Sequence, residues 1–171
     1  MIGEPRVEER GEQRYVAIRV GSAMSDLSRA IPELIGEVAG WLREHDVRPA
    51  GPPFIRYLVI DMANELDVEV GFPVLDAGGG DGRVSAGTLP AGRYASVLFT
   101  GPYDRLIDAN TALIQWGARE GLRWDSRPER NGEVFGARYE SYLTDPAEEP
   151  DPSKWETQVL IRLSDAPPDR G

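Results

Sequence analysis

The chain has 171 residues, 40% of them hydrophobic and 28% charged, proportions that support one folded domain with a substantial core and exclude wholesale disorder. Its 29 Asp and Glu against 19 Lys and Arg leave a formal charge of −10, which sets it against phosphate backbones and makes nucleic acid an unexpected partner. The absence of cysteine and the single histidine, His45, exclude disulfides, thiolate chemistry and a multi-histidine metal site.

The opening MIGEPRVEERGEQR has no apolar run of signal-peptide type, and no segment approaches the roughly 18 apolar residues of a membrane helix. The expectation is a cytoplasmic protein without membrane contact, metal or cofactor. Residues 1–13 are charged and without apolar periodicity, and are expected to be flexible, as is the tail 164–171. Between them the first strand is Tyr15–Val20, ending at Gly21. A helix follows over Ile31–His45, where Ile31, Leu34, Ile35, Val38, Trp41 and Leu42 recur at spacings of three and four. Pro32 is expected in its first turn.

The prolines and glycine of residues 47–53 stop that helix. Strands resume over Phe54–Ile60, Asp67–Val74 and Arg83–Leu89, read as an antiparallel meander. The glycine run 78–80 between the last two lacks the lysine and Ser/Thr of a phosphate loop and reads as a hairpin. A strand over Arg93–Gly101 and a helical stripe in Tyr103–Gly121, carried by Leu106, Ala109, Leu113 and Trp116, complete the middle of the chain.

The pattern then repeats itself. Arg14–Gly21 is restated by Arg93–Gly101, Trp41–Arg48 by Trp116–Arg123, and Arg56–Asp61 by Ser141–Asp145, so that Ile55 corresponds to Glu140 and Tyr57 to Tyr142. Matches in one order at drifting offsets are what a duplicated β-α-β-β unit leaves behind. The fold expected is therefore α+β: halves 14–90 and 91–163 pairing about a pseudo-twofold axis, a curved antiparallel sheet with two main helices, and a central cleft.

Several side chains could serve that cleft. Strand alternation puts Glu140 on one face with Arg138 and Tyr142; a solvated glutamate paired with Arg138 is the plain alternative. The aromatic candidates are Tyr57, Phe72, Tyr103, Tyr142 and Trp155, with Trp41 and Trp116 read as packing residues on helix stripes. The carboxylates Asp145, Glu148, Glu149 and Asp151 match no EF-hand loop and read as a solvated loop or lid. His45 reads as a helix-end cap or surface residue.

The run Glu140-Ser-Tyr-Leu-Thr-Asp-Pro146, then Pro150-Asp-Pro152 and Trp155-Glu-Thr157, with Asp67–Val74 and Leu89–Tyr94, resembles the GyrI-like effector-binding domain family over residues 14–163. That family includes stand-alone members and is related to the ligand-binding domains of AraC- and MerR-type multidrug regulators. The resemblance implies an SHS2-type duplicated fold and a small hydrophobic or aromatic ligand, cationic in many members, held above Glu140. It implies ligand-binding roles for Glu140, Tyr142, Tyr57, Trp155, Phe72, Tyr103 and Arg138. With only 14 residues ahead of Tyr15 there is no room for a helix-turn-helix, so sequestration or sensing by a monomer or weak homodimer is expected. Two alternatives stand beside it: a hydrolase opening cyclopropane-type electrophiles, with Glu140 activating water and Tyr142 assisting, and a gyrase-inhibitor-like interaction module.

Overall fold

A computed structural model of the protein describes residues 1–61, 63–76 and 79–165. Among these residues ten strands and two long helices run in the order β1 (Arg6–Arg10), β2 (Gln13–Ser22), α1 (Met24–Glu44), β3 (Phe54–Ile60), β4 (Leu66–Pro73), β5 (Val84–Leu89), β6 (Gly92–Thr100), α2 (Leu106–Arg119), β7 (Ser126–Glu129), β8 (Gly132–Phe135), β9 (Arg138–Tyr142) and β10 (Glu156–Arg162). The fold is α+β with one large open antiparallel sheet, as the sequence led us to expect.

The sheet order is β1-β6-β10-β9-β3-β4-β2-β5, and it reads the same from either edge once the duplication is applied. β2, α1, β3 and β4 of the first unit answer to β6, α2, β9 and β10 of the second, and the centre of the sheet is the β3–β9 seam. At that seam Ile55 lies opposite Glu140, flanked by Phe54 opposite Ser141 and Arg56 opposite Tyr139. The equivalence of Ile55 with Glu140 is therefore also the register of the strand pair, which places the pseudo-twofold axis between these two residues.

Strand alternation sorts the apolar residues of the sheet onto two faces. The face under the helices carries the larger core, including Val16, Ile18, Ile55, Val68, Val70, Val97, Val159 and Ile161. The opposite face holds a smaller cluster built on Tyr15, Phe54, Leu89, Tyr94, Tyr139 and Leu160. Helix α1 meets the larger core through Leu27, Leu34, Val38 and Leu42, and α2 through Leu106, Ala109, Leu113 and Gly117.

The structure corrects five expectations. Residues 6–10 are not loose: β1 pairs with β6 from Arg6 opposite Ser96 to Arg10 opposite Gly92, because β6 would otherwise present an unpaired edge, the position β5 fills beside β2. Helix α1 starts seven residues before Ile31, since Leu27, four residues ahead of Ile31, extends the same stripe by a further turn. Pro32 thus lies inside the helix, where its missing N–H leaves the Ser28 carbonyl without its usual partner. Finally, β5 pairs with β2 and not with β4, so β3, β4 and β5 do not form the expected meander; between α2 and β9, where the sequence assigned no element, β7 and β8 pair as a short hairpin.

At the end of α1 the His45 N–H bonds the Trp41 carbonyl and its ring stacks on Trp41 at 4.1 Å, as a capping residue should. Tail residues 164 and 165 are held by Ser164 N–H to the Arg123 carbonyl and by Asp165 on Arg162; residues 166–171 and Gly78 of the glycine run lie outside the described residues.

Candidate functional site

Above the seam, the two helices stand apart and enclose a cavity of about 1120 Å³ against the sheet, slightly larger than the roughly 300–1,000 Å³ usual for small-molecule sites. Helix α1 contributes Leu27, Ile31, Pro32 and Ile35 to its walls, and the chain from Tyr103 through α2 contributes Leu106, Ile107, Asn110 and Ile114. The sheet supplies Tyr57, Phe72, Arg138, Glu140 and Tyr142. Met24, Ile107, Ile114 and Leu143 are large apolar side chains left exposed around it, as a binding mouth requires and a closed core would not.

Glu140 is the one charged side chain in the buried class among the described residues, at 4% exposure. It occupies a row of directly opposed residues that runs Ile18, Val70, Ile55, Glu140, Val159, Val97 across six strands. Every other member of the row is aliphatic. A lone carboxylate there is stable only if its oxygens are satisfied, and both are: the Tyr57 hydroxyl donates to Oε1 at 2.9 Å and the Asn110 amide donates to Oε2 at 2.9 Å. The solvated, Arg138-paired alternative is thereby set aside.

Arg138 reaches the acid only through an intermediary. Its Nη2 donates to Asn110 Oδ1 at 3.1 Å, and its guanidinium lies over the Phe135 ring at 4.9 Å. Asn110 is thus clamped at both ends of its amide and oriented with its NH₂ toward Glu140. Burial pushes the Glu140 carboxyl above its ordinary value, opposed by the Asn110 and Tyr57 hydrogen bonds and by the Arg138 charge. Burial also lowers the Arg138 pKa and holds the Tyr57 and Tyr142 hydroxyls well above the ordinary phenol range.

Six of the seven candidate residues named from the sequence line this cavity together. Trp155 does not. Its ring lies 4.7 Å from that of Tyr103, which in turn sits 5.3 Å from Tyr142, so Trp155 backs the aromatic wall instead of forming it. Its indole N–H also donates to the Glu149 carbonyl at 2.7 Å, fastening the acidic loop. Of that loop only Asp145 is at the cavity, beside Pro146; Glu148, Glu149 and Asp151 are not among its lining residues.

Asn110 is the cavity residue bonded to Glu140 that sequence reading missed. It lies four residues after Leu106 and three before Leu113, on the buried stripe of α2, and a polar side chain on an apolar stripe is the signal that marks it. Removing the other donor with Tyr57→Phe should raise the Glu140 pKa further, detected as an upfield-to-downfield carboxyl titration displaced to higher pH in carbon-13 NMR. An undisplaced titration would show that the Tyr57 contact does not stabilise the carboxylate.

A duplicated α+β sheet whose two helices hold an apolar chamber over one buried acid defines a small-molecule-binding domain. The chain belongs to the GyrI-like family: residues 3–164 match the GyrI-like small molecule binding domain. No curated protein matches it. Among solved structures it is similar to the EcmrR C-terminal domain (TM-score 0.73, 23% identity, covering 95% of this chain and 98% of that one). It is also similar to EcmrR in its DNA complex (0.74, 21%, covering 95% of this chain), although it spans only 58% of that longer chain. A third relative in fold is SAV2435 bound to tetraphenylphosphonium (0.60, 8%, 95% and 94%). At these identities the likeness is one of fold.

Proposed function

We propose that the protein binds a bulky aromatic cation in this cavity and acts by sequestering or sensing it. The observation that carries this reading is the Glu140 carboxylate, buried at the floor of an apolar chamber and fixed by Tyr57 and Asn110. A carboxylate already stripped of water attracts a cation far more strongly than a solvated one, because the dielectric around it is low. Tyr57, Phe72, Tyr103 and Tyr142 add apolar area and ring faces to which a cation is drawn. Four charged side chains line the cavity, Asp104, Glu140, Asp145 and Arg138, so acids outnumber the single base and the local field favours positive charge. That SAV2435, of the same fold, was solved with tetraphenylphosphonium bound adds support.

The test is a charge-reversed pair of one shape. Calorimetric titration should show tetraphenylphosphonium binding at least about tenfold more tightly than tetraphenylborate, a difference of about 1.4 kcal/mol. Equal affinities would remove the cation from the reading, and absence of binding by either would remove the pocket.

A second reading uses the same carboxylate as a general base. Burial raises its pKa, the direction a general base requires, and one neighbour in fold is a hydrolase from Listeria innocua (TM-score 0.60, 16% identity, 94% and 92% covered). Incubation with a cyclopropane electrophile, followed by mass spectrometry, separates the two. A compound that gains the mass of water in the presence of wild type but not of Glu140→Gln supports hydrolysis; one that binds and stays intact supports binding alone.

A further inference from the structure

The two halves of the cavity are related by the pseudo-twofold axis, and the most informative place is where that symmetry fails. Tyr57 and Tyr142 are equivalent residues on the central strands, and both are more than nine-tenths buried, at 9% and 7% exposure. Tyr57 donates its hydroxyl to Glu140. The residue equivalent to Glu140 is Ile55, and the residue equivalent to Asn110, counted from the Trp41 and Trp116 match, is Ile35. Neither isoleucine can accept or donate a hydrogen bond. The second tyrosine therefore keeps its hydroxyl but has lost the acceptor that its twin uses.

Among the described residues the Tyr142 hydroxyl has no hydrogen-bond partner. The ring is held by Tyr103 at 5.3 Å, with Trp155 behind Tyr103, and Tyr142 lines the cavity. A phenol hydroxyl in so apolar a place loses its water on ligand entry and regains a partner only if the ligand brings one. Phenylalanine would fill the same volume without that cost. The chamber thus has two poles: an acid pole at Glu140, complete in its own hydrogen bonds, and a donor pole at Tyr142, incomplete until a ligand arrives.

We propose that Tyr142 is a specificity-determining residue that donates a hydrogen bond to an acceptor on the ligand. The natural ligand is then an aromatic compound bearing a carbonyl or ether oxygen apart from any positive charge. This inference rests on the cavity being the ligand site, but it does not depend on the ligand's charge.

The test uses benzophenone and diphenylmethane, two neutral probes that differ in the acceptor, titrated into wild type and Tyr142→Phe. Wild type should prefer benzophenone about five- to tenfold, as one neutral hydrogen bond provides. Tyr142→Phe should abolish that preference by weakening benzophenone alone, with diphenylmethane affinity within about twofold of wild type, the level of an unperturbed pocket. A merely structural role would weaken both probes together. Equal loss of both, no change in either, or failure of benzophenone to bind wild type would each overturn the proposal. Tetraphenylphosphonium in the same series reports separately on Glu140, so failure of the cation reading shows there and leaves the benzophenone result to be judged on its own.

Discussion

Glu140→Gln is expected to weaken binding of tetraphenylphosphonium by about 1–3 kcal/mol, the cost of losing a charged partner, while leaving the ligand-free protein as stable as the wild type or more so. The two effects have one cause. Burial raises the Glu140 pKa above its unfolded value, so the folded state holds the proton more tightly than the unfolded chain does. The favourable contribution of the protonated group is fully present below the unfolded pKa. It is lost as pH rises through the folded pKa, and above that the ionised carboxylate costs stability.

Glutamine removes this cost. It can keep Asn110 Nδ2 on its carbonyl, and the Tyr57 hydroxyl can turn to accept from its amide. The melting temperature of the variant should therefore match or exceed that of wild type above the folded pKa, with the advantage shrinking as pH falls. Cation affinity of the wild type should rise with pH through the same titration, since the proton and the ligand compete for one negative charge, and binding should release a proton. An affinity that does not change with pH, together with an unchanged affinity in Glu140→Gln, would place the cation elsewhere. A variant that gains stability while losing cation affinity would make Glu140 a case in which function is retained at the expense of stability.

Gly71→Ala should be the most damaging single-methyl change in the central sheet, costing about 3 kcal/mol or more in urea unfolding. Gly71 lies opposite Ala17 on β2 and Phe54 on β3. A Cβ there would stand 1.9 Å from the Val16 carbonyl oxygen and 2.7 Å from the Ala17 Cα. These are backbone atoms of a neighbouring strand, so no side chain can swing aside; the strands must part. Gly40 on α1 is the control, because a Cβ there meets only the far end of Arg43 at 3.7 Å, and alanine favours the helix by about 1 kcal/mol over glycine. A Gly71→Ala protein within about 0.5 kcal/mol of wild type, the ordinary range for a harmless substitution, would show that β2 and β4 can separate freely.

How much of this was legible beforehand depended on whether the signal was periodic. Leu34, Val38 and Leu42 recur on one helix face, and Phe54–Ile60 is rich in β-forming residues, so these elements appear where their own chemistry puts them. The short hairpin of β7 and β8 did not announce itself, because Ser-Arg-Pro-Glu and Gly-Glu-Val-Phe carry too few alternating apolar positions; the Asn131-Gly132 pair was its only mark. β1 was missed for a different reason. Its Arg-Val-Glu-Glu-Arg is mostly solvent-facing, and it is held by the edge of β6, a partner more than 80 residues away in the chain.

The chain by itself determined the duplication, the two helices, and the identity of the odd acid, since a repeat shows directly that Glu140 stands where its counterpart is isoleucine. Tertiary structure alone decided what that acid is bonded to. Tyr57 and Glu140 are 83 residues apart, and Asn110 and Glu140 are 30 apart. Hydrogen-bond partners at such separations are chosen by how strands and helices pack, and no local spacing records them. The same packing turned Trp155 away from the chamber it was expected to line, and left the hydroxyl of Tyr142, which lines that chamber, without a hydrogen-bond partner among the described residues. Sequence periodicity reports which face of an element is buried; which atoms meet across that burial depends on two elements at once.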